Sequence, residues 1–186
     1  MLILELTNKE CIEVLTRQVL GRLACSRDDQ PYIVPMHFVY HERHLYSFAT
    51  QGQKIDWMRT NPRVCVEADE IINHYYWVSV IVQGRYEELL DTPEWKPERE
   101  LAHDLLRHEA MWWEPAYVGT AHLGATDELI PIYYRIHIDQ VTGRRAKPDS
   151  VEAATLVEPA QASQSDSQLK SLLRRLWFAG PGRSSY

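Results

Sequence analysis

The sequence predicts a mainly β domain with flanking helices, an α+β fold. Between Gly21 and Ala68, four extended runs rich in β-branched and aromatic residues are separated by short polar segments and one short helix. This is the pattern of successive strands in an antiparallel sheet. A longer run covers Trp77–Leu89, and Gly84 interrupts it where a bulge or bend is expected. Such a bend would help a small barrel to close.

Each element has its own local signal. Thr7 and Glu10 have the spacing of a capping box and predict that a first helix begins here. A second helix follows Gly52 and closes at Asn61, which precedes a proline, and a third is indicated by apolar spacing among charges. The predicted strands are Gly21–Ser26, Pro31–Tyr40, His44–Ala49, Arg63–Ala68, Trp77–Leu89 and Ile130–Asp139, and the later helices are Gly52–Asn61 and Glu94–His108.

Length and composition predict three segments in the 186 residues. Residues 1–146 contain all the strand signals and form the domain. Residues 147–167 are rich in Ala, Ser, Gln, Glu and Pro, as in a flexible linker. Residues 168–186 place several leucines and a tryptophan on one side of a short amphipathic C-terminal helix, followed by a tail.

Charge and cysteine content narrow the functional class. The net charge of −6 argues against a nucleic-acid partner, which normally requires a basic face. The three cysteines are scattered and form no CxxC pair, so neither a disulfide framework nor a structural zinc site is indicated. No stretch is long and apolar enough to span a bilayer. We therefore expect a cytoplasmic protein with a small-molecule ligand.

Lys54 is the strongest single pointer to that ligand. It falls in the first turn of the predicted second helix, where a cation opposes the helix dipole at a cost of roughly 0.3–1 kcal/mol. An anion at that position would remove the conflict. Thr50 is the expected N-cap, and Gly52 would let the backbone approach the ligand closely. The alternative is a solvated lysine on a surface helix.

The order of these strands, turns and helices along the chain resembles that of the flavin-binding split barrel of the pyridoxamine-phosphate-oxidase-like superfamily, in particular its nitroimidazole-resistance-like branch. The resemblance extends over roughly residues 5 to 146 and rests on the order and spacing of several phrases together. The matching phrases are Gly21–Ala24, Tyr32–Tyr40, Leu45–Thr50 with Gly52–Lys54, Asn61–Cys65 and Trp77–Gly84.

The resemblance implies an FMN site, with a deazaflavin or haem as alternative cofactors. It implies that the first strand of the site follows the isoalloxazine edge, that the next follows the ribityl chain, and that the helix start holds the phosphate. The implied residues, in that order, are Val34, Pro35, Met36 and His37; Ser47, Phe48 and Ala49; and Thr50, Gly52, Gln53 and Lys54. Trp77, Ser79 and Gln83 share one strand face and are expected at the pyrimidine end or the phosphate, and Trp113 on the substrate side.

His37 is the predicted catalytic residue, because an imidazole at the flavin edge can donate a proton during reduction. His41 and His44 lie close to His37 in sequence, so haem stays an alternative cofactor. These histidines belong to no recognised metal-binding motif, and no metal site is predicted.

Two function classes follow from the resemblance. One is an oxidoreductase that passes electrons through FMN to a small oxidised acceptor. The other is a flavin- or haem-binding module without turnover. In both cases the family pattern implies a homodimer with the cofactor at the interface.

Overall fold

Eight strands and three helices make up the part of the chain that the computed structural model describes, residues 1–107 and 130–149. The strands are β1 (Leu2–Glu5), β2 (Leu20–Arg27), β3 (Gln30–His37), β4 (Val39–His41), β5 (His44–Ala49), β6 (Arg63–Asn73), β7 (Tyr76–Glu88) and β8 (Ile132–Lys147). The helices are α1 (Asn8–Arg17), α2 (Gln53–Thr60) and α3 (Lys96–Leu106).

The chain divides into two units, Met1–Pro148 and Asp149–Tyr186. The first contains every element named above. The predicted linker of residues 147–167 and the predicted helix of residues 168–186 lie outside the described residues, except for 147–149, so both stay predictions.

The strands form one antiparallel sheet that closes on itself as a split β-barrel. Its order is β3-β2-β6-β7-β8-β5-β4, and β1 adds to β8. β3 and β4 stand at opposite ends of this order, yet only Phe38 separates them along the chain. The two ends of the sheet must therefore meet, which curls the sheet into a barrel. The predicted fold class is confirmed.

The barrel interior is filled by alternate residues of its strands, as the period of two requires. Fully buried examples are Leu23 of β2, Val66 of β6, Val82 of β7 and Ile136 of β8. A second cluster lies beneath α3 and contains Tyr46, Phe48, Leu89, Ala102 and Leu106. β5 contributes to both clusters, and so all its residues after His44 are buried.

Gly84 produces the predicted bend. The register between β7 and β8 shifts between Gln83 and Gly84. A Cβ at Gly84 would lie only 2.3 Å from the carbonyl oxygen of His137, so no other residue fits without movement of the backbone. The capping box of α1 is also present: the Thr7 hydroxyl accepts from the Glu10 amide, and the Glu10 carboxylate accepts from the Thr7 amide at 2.8 Å.

Within residues 1–107 and 130–149, no helix has the length and apolar character needed to cross a membrane. Cys11 and Cys25 are buried free thiols, and Cys65 is a half-buried one.

Candidate functional site

A gap in strand pairing defines the candidate site. Among the described strands, β3 pairs only with β2, which leaves its other backbone edge without a strand partner. β4 is short and covers only His44–Tyr46 of β5, so no strand within the described residues pairs with Ser47–Ala49 on that side. β3 nevertheless packs close to β5. We call the gap between Val34–His37 and Ser47–Ala49 the barrel seam.

The β3 side of the barrel seam carries the residues predicted for the isoalloxazine edge. Val34 is half-buried against the core, Pro35 is exposed, and Met36 and His37 are buried. An unpaired strand edge presents backbone N–H and C=O groups that need partners. The contact of this edge with an isoalloxazine ring stays a prediction.

His37 lies at the end of β3 and is 1% exposed. Burial lowers the pKa of His37 to about 4, so its imidazole is neutral at neutral pH. The predicted proton transfer at neutral pH would therefore involve a neutral ring, and the catalytic role of His37 stays a prediction. The strand also breaks at Phe38, so His37 and His41 do not share one continuous strand.

The β5 side of the barrel seam is buried. Ser47, Phe48 and Ala49 are each no more than 2% exposed. Leu45 and Ala49 face the barrel core while Tyr46 and Phe48 face the cluster under α3, so alternation puts Ser47 on the barrel side. Its hydroxyl donates a long 3.4 Å hydrogen bond to the Phe48 carbonyl.

The start of α2 lies directly after the barrel seam and differs from the prediction in one respect. The N-cap is Gly52 and not Thr50, because the helix begins two residues later than a Thr50 cap would require. Gly52 has no side chain, and within the described residues α2 has no side-chain cap hydrogen bond. The space where a Gly52 side chain would stand is empty for 4 Å, and Gln53 beside it is exposed. Free N–H groups at a helix start bind anions.

Lys54 occupies the second position of α2 and is half-buried. Burial raises the pKa of the Cys25 thiol in β2, and the positive charge of Lys54 offsets part of this rise. The ammonium group is therefore near the β2–β3 hairpin as well as the helix start. Asp56 in the same first turn offsets part of the unfavourable dipole interaction.

Arg59 and Gln51 form a network that the sequence did not reveal. Arg59 binds both carboxylate oxygens of Glu88 at 2.7 Å and donates to the Gln51 side chain at 3.0 Å. Gln51 in turn donates to Asp56 at 2.6 Å. Glu88 lies 29 residues after Arg59, so no local pattern could have predicted this pair.

Trp77, Ser79 and Gln83 share the outer face of β7, as predicted, but belong to two clefts. Trp77 and Ser79 line an open cleft of about 630 Å³ with Val141–Arg144. Gln83 lines another of about 700 Å³ beside Cys65. The described lining of neither cleft includes a residue of the barrel seam. The Ser79 hydroxyl donates to Glu67 at 2.9 Å.

The remaining predicted residues are quickly placed. Trp113 lies outside the described residues. His41 and His44 are cross-strand neighbours, and the His44 ring contacts His137 with a nitrogen–nitrogen distance of 3.3 Å. In the described ranges, His, Cys, Asp and Glu side chains form no group of three or more suited to a metal ion.

Comparison with known proteins identifies the family of the chain. The family model described as pyridoxamine 5'-phosphate oxidase matches residues 7–145. This covers most of the chain, which therefore belongs to the pyridoxamine 5'-phosphate oxidase family and confirms the resemblance seen in the sequence.

Three relatives illustrate the match. An uncharacterized protein of Rhizobium meliloti is 40% identical over 141 residues, covering 76% of this chain and 93% of the relative. The crystal structure of a FAD-binding protein from Mesorhizobium loti is 42% identical, with a TM-score of 0.66, over 80% of this chain and 99% of that chain. A Bacteroides thetaiotaomicron protein described as a candidate 5-nitroimidazole antibiotic resistance protein shares the fold, with a TM-score of 0.54 and 19% identity over 78% of this chain and 89% of that one.

Proposed function

We propose that this chain binds a flavin nucleotide along the barrel seam, with the phosphate next to the ribityl chain held at the start of α2. The observation that carries the proposal is the coincidence of three features at one place. In the described part of the chain, three features follow one another around the barrel seam: the β3 edge opposite β2, which pairs with no strand, the start of α2 at Gly52, which has no side-chain cap, and the half-buried Lys54. Together they offer hydrogen bonds to a ring edge and a positive, amide-rich end for a phosphate.

The flavin is FMN or FAD. The sequence pattern favours FMN, whereas the 42% identical neighbour from Mesorhizobium loti is described as FAD-binding. Both contain the same isoalloxazine ring, ribityl chain and first phosphate, so the barrel seam serves either one. Chromatography of the cofactor released from purified protein distinguishes FMN from FAD, and also from a deazaflavin or haem.

The site is completed by a second copy of the chain. Trp77, Ser79 and Gln83 lie on the outer face of β7, away from the barrel seam of their own chain. An outer sheet face can reach another protomer's seam in a homodimer, where these side chains would contact the pyrimidine end or the phosphate. Trp113 belongs to the same proposal, on the substrate side of the flavin.

The proposed activity is electron transfer through the flavin to a small oxidised acceptor, in the reducing cytoplasm. When bound, a flavin supplies the chemistry of hydride and single-electron transfer. The chain's own residues have supporting roles. Lys54 and the amides after Gly52 bind the phosphate, the β3 backbone orients the ring, and the buried Ser47–Ala49 stretch excludes water from one side. His37 acts as a neutral imidazole that orients the ring edge.

The test begins with the absorption spectrum of the purified full chain, which should show flavin bands. Stopped-flow mixing with NADH or NADPH, then with a nitroaromatic or a quinone, should give reduction and reoxidation. A bound flavin that no donor and acceptor can turn over would favour the non-catalytic binding module. His37→Gln, which keeps a neutral hydrogen-bonding side chain, should change the reoxidation rate at pH 7 by less than about tenfold, below the usual range of general acid catalysis.

A further inference from the structure

The start of α2 is tied to β7 by the polar network introduced above. Gln51, the residue immediately before the Gly52 cap, accepts a hydrogen bond from Arg59 and donates one to Asp56. Arg59 lies in the last turn of α2 and binds Glu88 through two parallel hydrogen bonds. One side chain therefore joins the loop before the helix, the end of the helix and the barrel.

The barrel end of this network is firmly held. Glu88 is the last residue of β7, its side chain is 17% exposed, and it accepts a third hydrogen bond from the Tyr86 hydroxyl at 2.8 Å. The Arg59 guanidinium beside it holds the pKa of the Glu88 carboxyl below its usual range. Bidentate arginine–carboxylate pairs fix direction as well as distance. Arg59 is thus a rigid arm from β7 to Gln51.

The arm matters because the N-cap of α2 is Gly52, which has no side chain that could hold the helix start. In the described chain, α2 has no side-chain cap hydrogen bond, and only three residues connect β5 to α2. Free amides bind a phosphate tightly only if they are already in place, since ordering them on binding weakens affinity. Arg59 itself does not point where Lys54 does, because five residues correspond to a rotation of about 140° around a helix.

We propose that Arg59, Gln51 and Glu88 form a positioning cluster that holds the Gly52–Lys54 amides ready for the flavin phosphate without touching it. The inference rests on the proposed flavin function and adds to it the residues that determine phosphate affinity from outside the site. Such residues act on the phosphate part of the ligand alone. The isoalloxazine ring lies along the barrel seam and does not depend on the arm.

A matched control is available on α1. Arg17 also lies in the last turn of its helix and also binds a strand carboxylate, Glu70 of β6, through two hydrogen bonds. The Arg17 side chain is 49% exposed and the Arg59 side chain 42%, so the two arginines are similarly accessible to solvent. Removal of Arg17 has the same local consequences for a helix and a salt bridge, but α1 has no link to the start of α2 in the described contacts.

The experiment compares riboflavin with FMN, which differ only by the phosphate. Flavin fluorescence titrations of the full-length apoprotein give the ratio of the two dissociation constants for wild type, Arg59→Met, Arg59→Lys, Gln51→Leu, Lys54→Met and Arg17→Met. We expect wild type to prefer FMN by at least about tenfold, and Arg59→Met and Gln51→Leu to reduce that preference by about five- to tenfold. Arg59→Lys should recover part of it, and Arg17→Met should leave it unchanged.

The outcomes separate the two proposals. If wild type shows no preference for FMN, or binds no flavin, both are refuted. If Lys54→Met abolishes the preference while Arg59→Met and Gln51→Leu keep it, the positioning role is refuted and the phosphate site stands. A loss of affinity for riboflavin and FMN alike would assign Arg59 a purely structural role. Gln51 is exposed and hydrogen-bonds Arg59 and Asp56, so Gln51→Leu tests the arm with the Arg59–Glu88 pair intact, even if Arg59→Met does not fold.

Discussion

Replacing Lys54 with methionine tests the phosphate site directly, because methionine keeps most of the apolar stem and removes the charge. A hydrogen bond to a charged group contributes about 1.5–3 kcal/mol, which corresponds to a roughly 10- to 150-fold weaker Kd for FMN. The half-buried position of Lys54 favours this range over the smaller values of exposed pairs. Urea unfolding of the apoprotein checks that the variant still folds.

Lys9 supplies the control for this prediction. It occupies the second position of α1, as Lys54 does in α2, but the α1 start is closed by the Thr7–Glu10 capping box and Lys9 is exposed. Lys9→Met should therefore leave FMN binding unaltered. The assay is fluorescence titration of apoprotein together with urea unfolding of both variants. An FMN affinity that stays within twofold of wild type in Lys54→Met, or that falls equally in Lys9→Met, would refute the reasoning.

Three further predictions concern stability and assembly. The native pKa of His37, about 4, lies below its unfolded value near 6.5, so the unfolded state binds more protons between these pH values. The free energy of unfolding should therefore fall by up to about 1.4 kcal/mol per pH unit as the pH falls from 6.5 to 4. In urea unfolding, His37→Gln should make the unfolding free energy depend less steeply on pH than in wild type. An unchanged pH dependence would contradict this. Gly84→Ala should lower the unfolding free energy by about 1–3 kcal/mol or more, measured by thermal melting, because its Cβ would meet the His137 carbonyl oxygen; wild-type stability would disprove the close contact. Sedimentation of the flavin-loaded protein at low micromolar concentration should show a dimer, and a monomer that retains flavin would exclude a shared site.

Most of the fold could be predicted because its signals are local. Alternation located β2, β5 and β7 to within two residues, and the capping box located the start of α1. The predicted strand Pro31–Tyr40 proved to be β3 and β4, since the barrel must turn at Phe38. β1 and the extension of β8 to Lys147 were not predicted, because these residues become strands only through pairing with each other and with β7.

The candidate site likewise combines residues that local sequence signals predict with residues that only the folded chain brings together. Sequence order was enough to bring Ser47–Ala49, Gly52 and Lys54 together, because they are consecutive in the chain. The N-cap was assigned wrongly, since Thr50 has the right chemistry but the helix begins after Gly52. The bond between Arg59 and Glu88 and the contact between His44 and His137 join residues far apart in sequence, and single-residue patterns carry no signal for such pairs.

A crystal structure of the full chain with FMN or FAD bound tests the central claim most directly. It should show the isoalloxazine ring along the barrel seam and a phosphate oxygen about 2.7–3.2 Å from the Lys54 ammonium or from an amide of the first α2 turn. Flavin bound elsewhere, for example in the cleft between α3 and Tyr133, or a phosphate contacted by neither Lys54 nor the α2 amides, would contradict the account.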